Sequence, residues 1–221
     1  MIRIVRYKST FINVPKTGST SIRNFLFNNV FSAEDICSFH TLNGKQVSCN
    51  IQDIHKNSSH HDVKYCIENA ISPKSDTFYL TIRDPLERQL SRYFYRFTQG
   101  FFSENTPKNF QDIIKKNDGM LPDKTSYHEK MQYKFGHYPD ANIIWIPYPK
   151  LKEIYQNIIE NWGIKINKQI IDANVSLPNQ PRTKYLIDLF YDKQSRLLAE
   201  KCLEKDIELY EKISKENYFF T

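Results

Sequence analysis

Apolar positions set the first element of this chain. A mainly apolar run over 10–14 is short enough for a buried strand, and Pro15 breaks it. Lys16, Thr17, Gly18, Ser19, Thr20 and Ser21 then place one Lys, one Gly and four hydroxyl residues in six positions. Apolar residues return at Ile22, Phe25, Leu26 and Val30, which is helical spacing and predicts a helix over 20–29. The stretch therefore reads as strand, tight loop, helix.

The same punctuation recurs downstream. A second strand is expected over 35–39, and 41–59 is polar and loop-like. The β-branched and aromatic run 77–82 is the clearest strand. It ends in Arg83-Asp84-Pro85-Leu86-Glu87, where Asp84 suits an N-cap, Pro85 the first helical position and Glu87 a capping box. A helix over 85–97 would bring Arg88, Ser91, Arg92 and Tyr95 to adjacent turns of one side. Helices are expected over 110–116 and 127–134, and a buried strand over 142–146. Leu151, Ile154, Tyr155, Ile158, Ile159 and Trp162 recur at three and four until Gly163 stops that helix. Residues 172–182 read as a Pro- and Asn-rich loop, and helical spacing returns over 193–213. Alternating strands and helices predict an α/β fold: one P-loop-like domain over 1–221, with a mostly parallel central sheet flanked by helices. Ligands of such sheets sit at the carboxyl ends of the strands, where the Lys16 loop and Arg83 both fall.

Composition narrows the class. At 221 residues one domain is the expectation. Lys and Arg exceed Asp and Glu by 31 − 25 = 6, which favours an anionic partner. Both signs are interleaved with no polybasic tail, so a nucleotide or an acidic acceptor accounts for the excess as well as nucleic acid does. Cys37, Cys49, Cys66 and Cys202 show no CxxC spacing, which argues against a disulfide framework and for a reducing compartment. No leader and no run of eighteen apolar residues is seen, so a cytoplasmic protein without a membrane span is expected.

The first loop gathers backbone N–H groups, hydroxyls, a helix N-terminus and the Lys16 charge, a combination suited to phosphate or sulfate. It is not the P-loop of nucleoside triphosphatases, which needs GxxxxGK[ST]. Pro15-Lys16-Thr17-Gly18-Ser19-Thr20-Ser21 resembles the 5′-phosphosulfate loop of sulfotransferases, PKTGTT or PKTAST in the carbohydrate branch. Arg83-Asp84-Pro85-Leu86-Glu87-Arg88-Gln89-Leu90-Ser91-Arg92-Tyr93 resembles their 3′-phosphate motif, RDPxxRxxSxY. Physical chemistry agrees, since a guanidinium and a hydroxyl two helical turns on can converge on one phosphate. The bland alternative for the second string is a capped helix with Arg83 in a structural ion pair.

The resemblance runs from about 9 to 210 and is nearest to heparan-sulfate 2-O-type enzymes. It implies 3′-phosphoadenosine-5′-phosphosulfate (PAPS) as donor, adenosine 3′,5′-bisphosphate (PAP) as product, and a carbohydrate hydroxyl as acceptor. Lys16, Thr17, Gly18, Ser19, Thr20 and Ser21 would hold the 5′ end, with Lys16 catalytic; Arg83 and Ser91 would hold the 3′-phosphate. Asn174, Ser176 and Lys184 would close over the adenosine. Where the family often has a Glu after the late strand, Tyr148-Pro149 stand here, and no role is carried over. In the 2-O-type enzymes a His about twenty residues before the RDP Arg takes the acceptor proton. His60 and His61 occupy that interval; spacing favours His61, and the Val and Tyr that follow would favour His60. Asp62 is a weaker alternative. Cys37-x2-His40 has a zinc-compatible spacing, but no paired CxxC or HxxxH follows, and no metal ligand is assigned.

The expectation is a PAPS-dependent sulfotransferase acting by in-line displacement, with acceptor contacts from 41–59 and 98–130. Two rivals come from other classes. One is a P-loop kinase or nucleotide hydrolase. The other is a non-catalytic module for nucleic acid or another polyanion, with Tyr93, Phe94, Tyr95 and Phe97 as stacking surfaces.

Overall fold

The structure, a computed structural model, describes residues 1–30, 37–40, 46–48, 61–122, 131–167 and 183–215. In chain order its elements are β1 (Ile2–Ile4), β2 (Ser9–Ile12), α1 (Ser19–Asn29), β3 (Cys37–His40), β4 (Gln46–Ser48), α2 (Val63–Glu68), β5 (Thr77–Ile82), α3 (Pro85–Thr98), α4 (Pro107–Lys116), α5 (Gln132–Phe135), β6 (Asn142–Pro147), α6 (Leu151–Asn161), α7 (Ile187–Phe190), α8 (Lys193–Cys202) and α9 (Glu204–Lys215). Short 3-10 turns lie at Val5–Tyr7, Tyr148–Lys150 and Thr183–Tyr185. The chain divides into two compact units: Met1–Ile82 with Gln132–Ala173, and Arg83–Met131 with Asn174–Thr221.

The first unit holds one sheet in the order β4-β3-β1-β2-β5-β6. β2 and β5 are parallel, from Ser9 beside Thr77 to Ile12 beside Leu80, and β5 and β6 are parallel to the pair Ile82–Pro147. β1 runs against both β2 and β3, and β3 runs against β4. Hence β2, β3, β5 and β6, four of the six described strands, share one direction, and the sheet is the mostly parallel one expected of an α/β fold. Every residue of β2 is buried, as a central strand covered by helices requires. β1 and β4 add strands where the sequence pattern predicted none, because three residues are too few to show a period. β2 also stops two residues sooner than its apolar run. The Val14 N–H donates to the Ile12 carbonyl at 3.1 Å, a tight turn that takes the backbone out of the ladder.

Helical spacing becomes packing here. Ile22, Phe25 and Leu26 of α1, with Val30 at its C-terminal cap, share one core with Leu151, Ile154, Tyr155, Ile158 and Ile159 of α6, and with Phe11, Tyr79 and Ile146 of the sheet. Each such side chain stabilises the unit by roughly 1.5–3 kcal/mol when fully buried. Phe11 stacks on Tyr79, its register partner, with ring centroids 5.0 Å apart. At the other end of the strands Arg3 Nε donates to Asp76 at 2.6 Å, and the Thr10 and Ser72 hydroxyls meet at 2.7 Å.

In the second unit, Asp84 caps α3 by accepting the Glu87 N–H at 2.9 Å, and Pro85 opens the helix as its sequence predicts. α4 starts earlier than expected because Thr106 caps it through the Asn109 N–H. The helix expected over 127–134 lies partly outside the described residues; α5 is its described remnant. The single helix expected over 193–213 is two, interrupted at Leu203. Leu203 turns into the core, and Glu204 and Asp206 supply the acidic first turn that suits a new helix. That core contains Leu90, Tyr93, Phe94, Phe110, Ile114, Phe190 and Tyr191. Tyr93 and Phe94 are thus core residues, and of the stacking surfaces considered above only Tyr95 is exposed.

Candidate active site

The turn between β2 and α1 is held by its own side chains. Thr17 is fully buried, and its hydroxyl donates to the Val14 carbonyl at 2.9 Å. That bond uses the Thr17 proton inside the loop, so Thr17 offers a ligand its N–H rather than its hydroxyl. Lys16 has φ 64° and Gly18 φ 85°, both left-handed. Alternating handedness of this kind turns successive N–H groups toward one concavity. A Cβ on Gly18 would lie 3.0 Å from Leu151 Cδ1 and 3.0 Å from Tyr148 Cε2, so a larger residue would be strained by φ and would also have to push these side chains back by a few tenths of an ångström. No side chain caps α1 at Gly18, and the positive end of the helix dipole falls on its first turn, Ser19 to Ser21.

Arg83 follows β5 directly. Its Nη2 donates to Glu87 Oε1 at 2.7 Å and to the Thr183 hydroxyl, which itself donates to Glu87 at 3.0 Å. This closed triangle is the structural ion pair that the sequence left open as the alternative. It also fixes the guanidinium in the first turn of α3. Ser91 is buried two turns further along, as is Arg88, whose Nη1 lies 4.0 Å from Asp206 Oδ2. Burial pushes the Arg88 guanidinium down, neighbouring Arg92 pushes it further, and Asp206 opposes both. Asp84 is raised, chiefly by burial. Lys184 is the residue after Thr183 and lies 4.7 Å over the Tyr185 ring.

Residues 2–212 match the type-2 model of the Sulfotransferase family. The chain belongs to that family. No curated protein and no solved structure matches it.

The sulfotransferase carries its expected loop residues together in the first unit, and Arg83, Ser91 and Lys184 in the second. Enzymes of this family generally use PAPS as sulfate donor. The loop passes a fit test for the anionic end of such a molecule: it has two left-handed residues, Lys16 and Gly18, a helix start that no side chain caps, and the Lys16 amine. Asn174, Ser176 and His60 lie outside the described residues, as do most of 41–59 and part of 98–130, where acceptor contacts are expected. His61 is buried, only 5% exposed, and stacks on Tyr65, with ring centroids 4.0 Å apart. Asp62 is committed to capping α2, accepting the Tyr65 N–H at 2.7 Å, which weakens its case as a base. Among the described residues no three of His, Cys, Asp and Glu are grouped to hold a metal ion, and no helix is long and apolar enough to cross a membrane.

Sequence reasoning missed four participants. Tyr148 and Leu151 wall the loop at Gly18, and Glu87 and Thr183 brace Arg83. Only Glu87 had a signal, its i, i+4 spacing from Arg83, which was read as a capping box instead.

Proposed function

We propose that this sulfotransferase moves the sulfuryl group of PAPS to a hydroxyl of a carbohydrate acceptor by in-line displacement at sulfur, and that 1–221 acts as one catalytic domain. The observation that carries the reading is the β2–α1 loop, with Lys16 and Gly18 both left-handed before a helix start that no side chain caps. When bound, PAPS supplies a sulfuryl group already joined to a phosphate leaving group. Lys16 offsets the charge that the 5′-phosphate gains as its bond to sulfur breaks, and the N–H groups of Thr17 to Ser21 hold that phosphate in place. Arg83, braced by Glu87 and Thr183, takes the 3′-phosphate together with Ser91. Asn174, Ser176 and Lys184 belong to the adenosine end. His61 receives the hydroxyl proton as the acceptor oxygen bonds to sulfur, with His60 as the other candidate. Most of the rate comes from positioning and charge stabilisation, as in phosphoryl transfer.

The test is ligand-induced stabilisation followed by transfer. PAP without metal should raise the melting temperature, whereas ATP with Mg²⁺ and single-stranded DNA should not. Radiolabelled PAPS should then label one member of a panel of neutral and acidic glycans. Stabilisation by ATP with Mg²⁺ but not by PAP would overturn the assignment, and label on a protein or small phenol alone would overturn the carbohydrate part.

A further inference from the structure

One buried cation has no role in the account above. Arg23 lies on α1, five residues past Gly18, and is only 8% exposed. Its Nε and Nη1 are fully buried and have no hydrogen-bond partner among the described residues. Interiors satisfy nearly all such donors, and a buried charge without a counter-ion forfeits its hydration for nothing in return. Burial pulls the Arg23 guanidinium down from its ordinary value, and the charged group it acts on among the described residues is a like one, the buried Met1 amino group, which it helps to lower. Long side chains on a helix lean toward its N-terminus, over the residues three and four positions earlier. For Arg23 those are Thr20 and Ser19, the start of α1 at the loop. A guanidinium presents a planar fork that matches a tetrahedral oxyanion better than any neutral partner.

We infer that Arg23 is an oxyanion-binding residue of the β2–α1 loop and takes the 5′-phosphosulfate end of the donor alongside Lys16. The inference rests on the sulfuryl-transfer reading. It places two cations on the group whose charge changes during transfer, one from the loop and one from the helix that follows.

The experiment compares the full chain with Arg23→Gln and Arg23→Lys, titrating PAPS, PAP, adenosine 3′-phosphate and inorganic sulfate by calorimetry without acceptor. Arg23→Gln should weaken PAPS or PAP by about 10- to 100-fold, the worth of a charge-assisted contact, and leave adenosine 3′-phosphate unchanged. Arg23→Lys should recover part of the loss. In a melting scan without ligand, Arg23→Gln should be at least as stable as the parent, because it removes a buried charge. A fall in its melting temperature would assign Arg23 a structural role and overturn the inference. Equal affinity of parent and Arg23→Gln for PAPS and PAP would also overturn it while leaving the donor reading intact, even if an acidic acceptor then showed a raised KM. If the parent bound none of the nucleotides, the donor reading itself would fail. Sulfate would then decide: protection of the parent but not of Arg23→Gln supports oxyanion binding, and equal protection or none overturns it.

Discussion

Replacing Gly18 by Ala tests the loop at its tightest point. The change has two separable costs. The backbone sits at φ 85°, and holding an L residue in that region costs about 1 kcal/mol. The new methyl also meets Leu151 Cδ1 and Tyr148 Cε2, each at 3.0 Å, so one of them must yield; forcing extra volume into a packed site costs about 1–3 kcal/mol. The sum is about 2–4 kcal/mol. Gly100 supplies the control, because it has φ 75° and nothing within 4 Å of its added Cβ. Gly100→Ala should therefore show only the backbone cost of about 1 kcal/mol. Urea denaturation of both variants isolates the contact as their difference. Titration with PAP then asks whether that contact shapes the cradle. Gly18→Ala should bind at least about tenfold more weakly, since small shifts of preorganised donors are expensive, and Gly100→Ala should bind normally. Equal destabilisation of the two would refute the steric reasoning. A destabilised Gly18→Ala with unchanged PAP affinity would refute the assignment of the loop.

His61→Ala should leave PAP affinity unchanged and lower kcat by about 10²- to 10⁴-fold, the usual worth of a general base; steady-state kinetics with loss in His60→Ala instead would move the role to its neighbour. Asp206→Asn strips Arg88 of its counter-charge in a site where the two side chains are 4% and 0% exposed, and should cost about 3–5 kcal/mol in urea denaturation; a loss below about 1 kcal/mol would mean that the pair is not coupled. Cys66 gives an alkaline signature: burial pushes its thiol up to about 12 from 9.0. The folded state holds that proton more tightly than the unfolded chain, so the contribution is complete below about pH 9 and is lost as pH rises toward 12. Cys66→Ala should flatten that part of the stability profile relative to the parent, and identical profiles above pH 9 would contradict the burial argument.

The elements with several turns of periodic residues were legible in the sequence. Ile22, Phe25 and Leu26, and Leu151 through Ile159, announced the helices that build the first core, and Asp84-Pro85 announced the start of α3. Short elements were not, because β1 and β4 are fixed by ladder bonds to β2 and β3 rather than by their own pattern. The break at Leu203 was hidden for the related reason that a core-facing Leu fits the helical period on both sides of it. At the site, residue types and order gave the loop and Arg83, while their supports depend on contacts distant in sequence. Thr183 reaches Arg83 from 100 positions away, and no local pattern encodes such a partner. His61 was placed by spacing alone, which says nothing about the stacked, buried setting in which Tyr65 holds it.

The discontinuous first unit has a consequence for biosynthesis. Its core needs Leu151 to Ile159 from α6, and its parallel β5–β6 pair needs 142–147. The ribosome delivers these only after the whole 83–131 segment has emerged. At about 5–20 residues per second, the gap between Ile82 and Ile159 is roughly 4–15 s. Through that interval β5 presents an open strand edge and α1 an uncovered apolar stripe, the kinds of surface that holdase chaperones recognise. A nascent chain stalled near 131 should therefore be protease-sensitive within α1 and β5, and one extended far enough for 173 to clear the exit tunnel should be protected there.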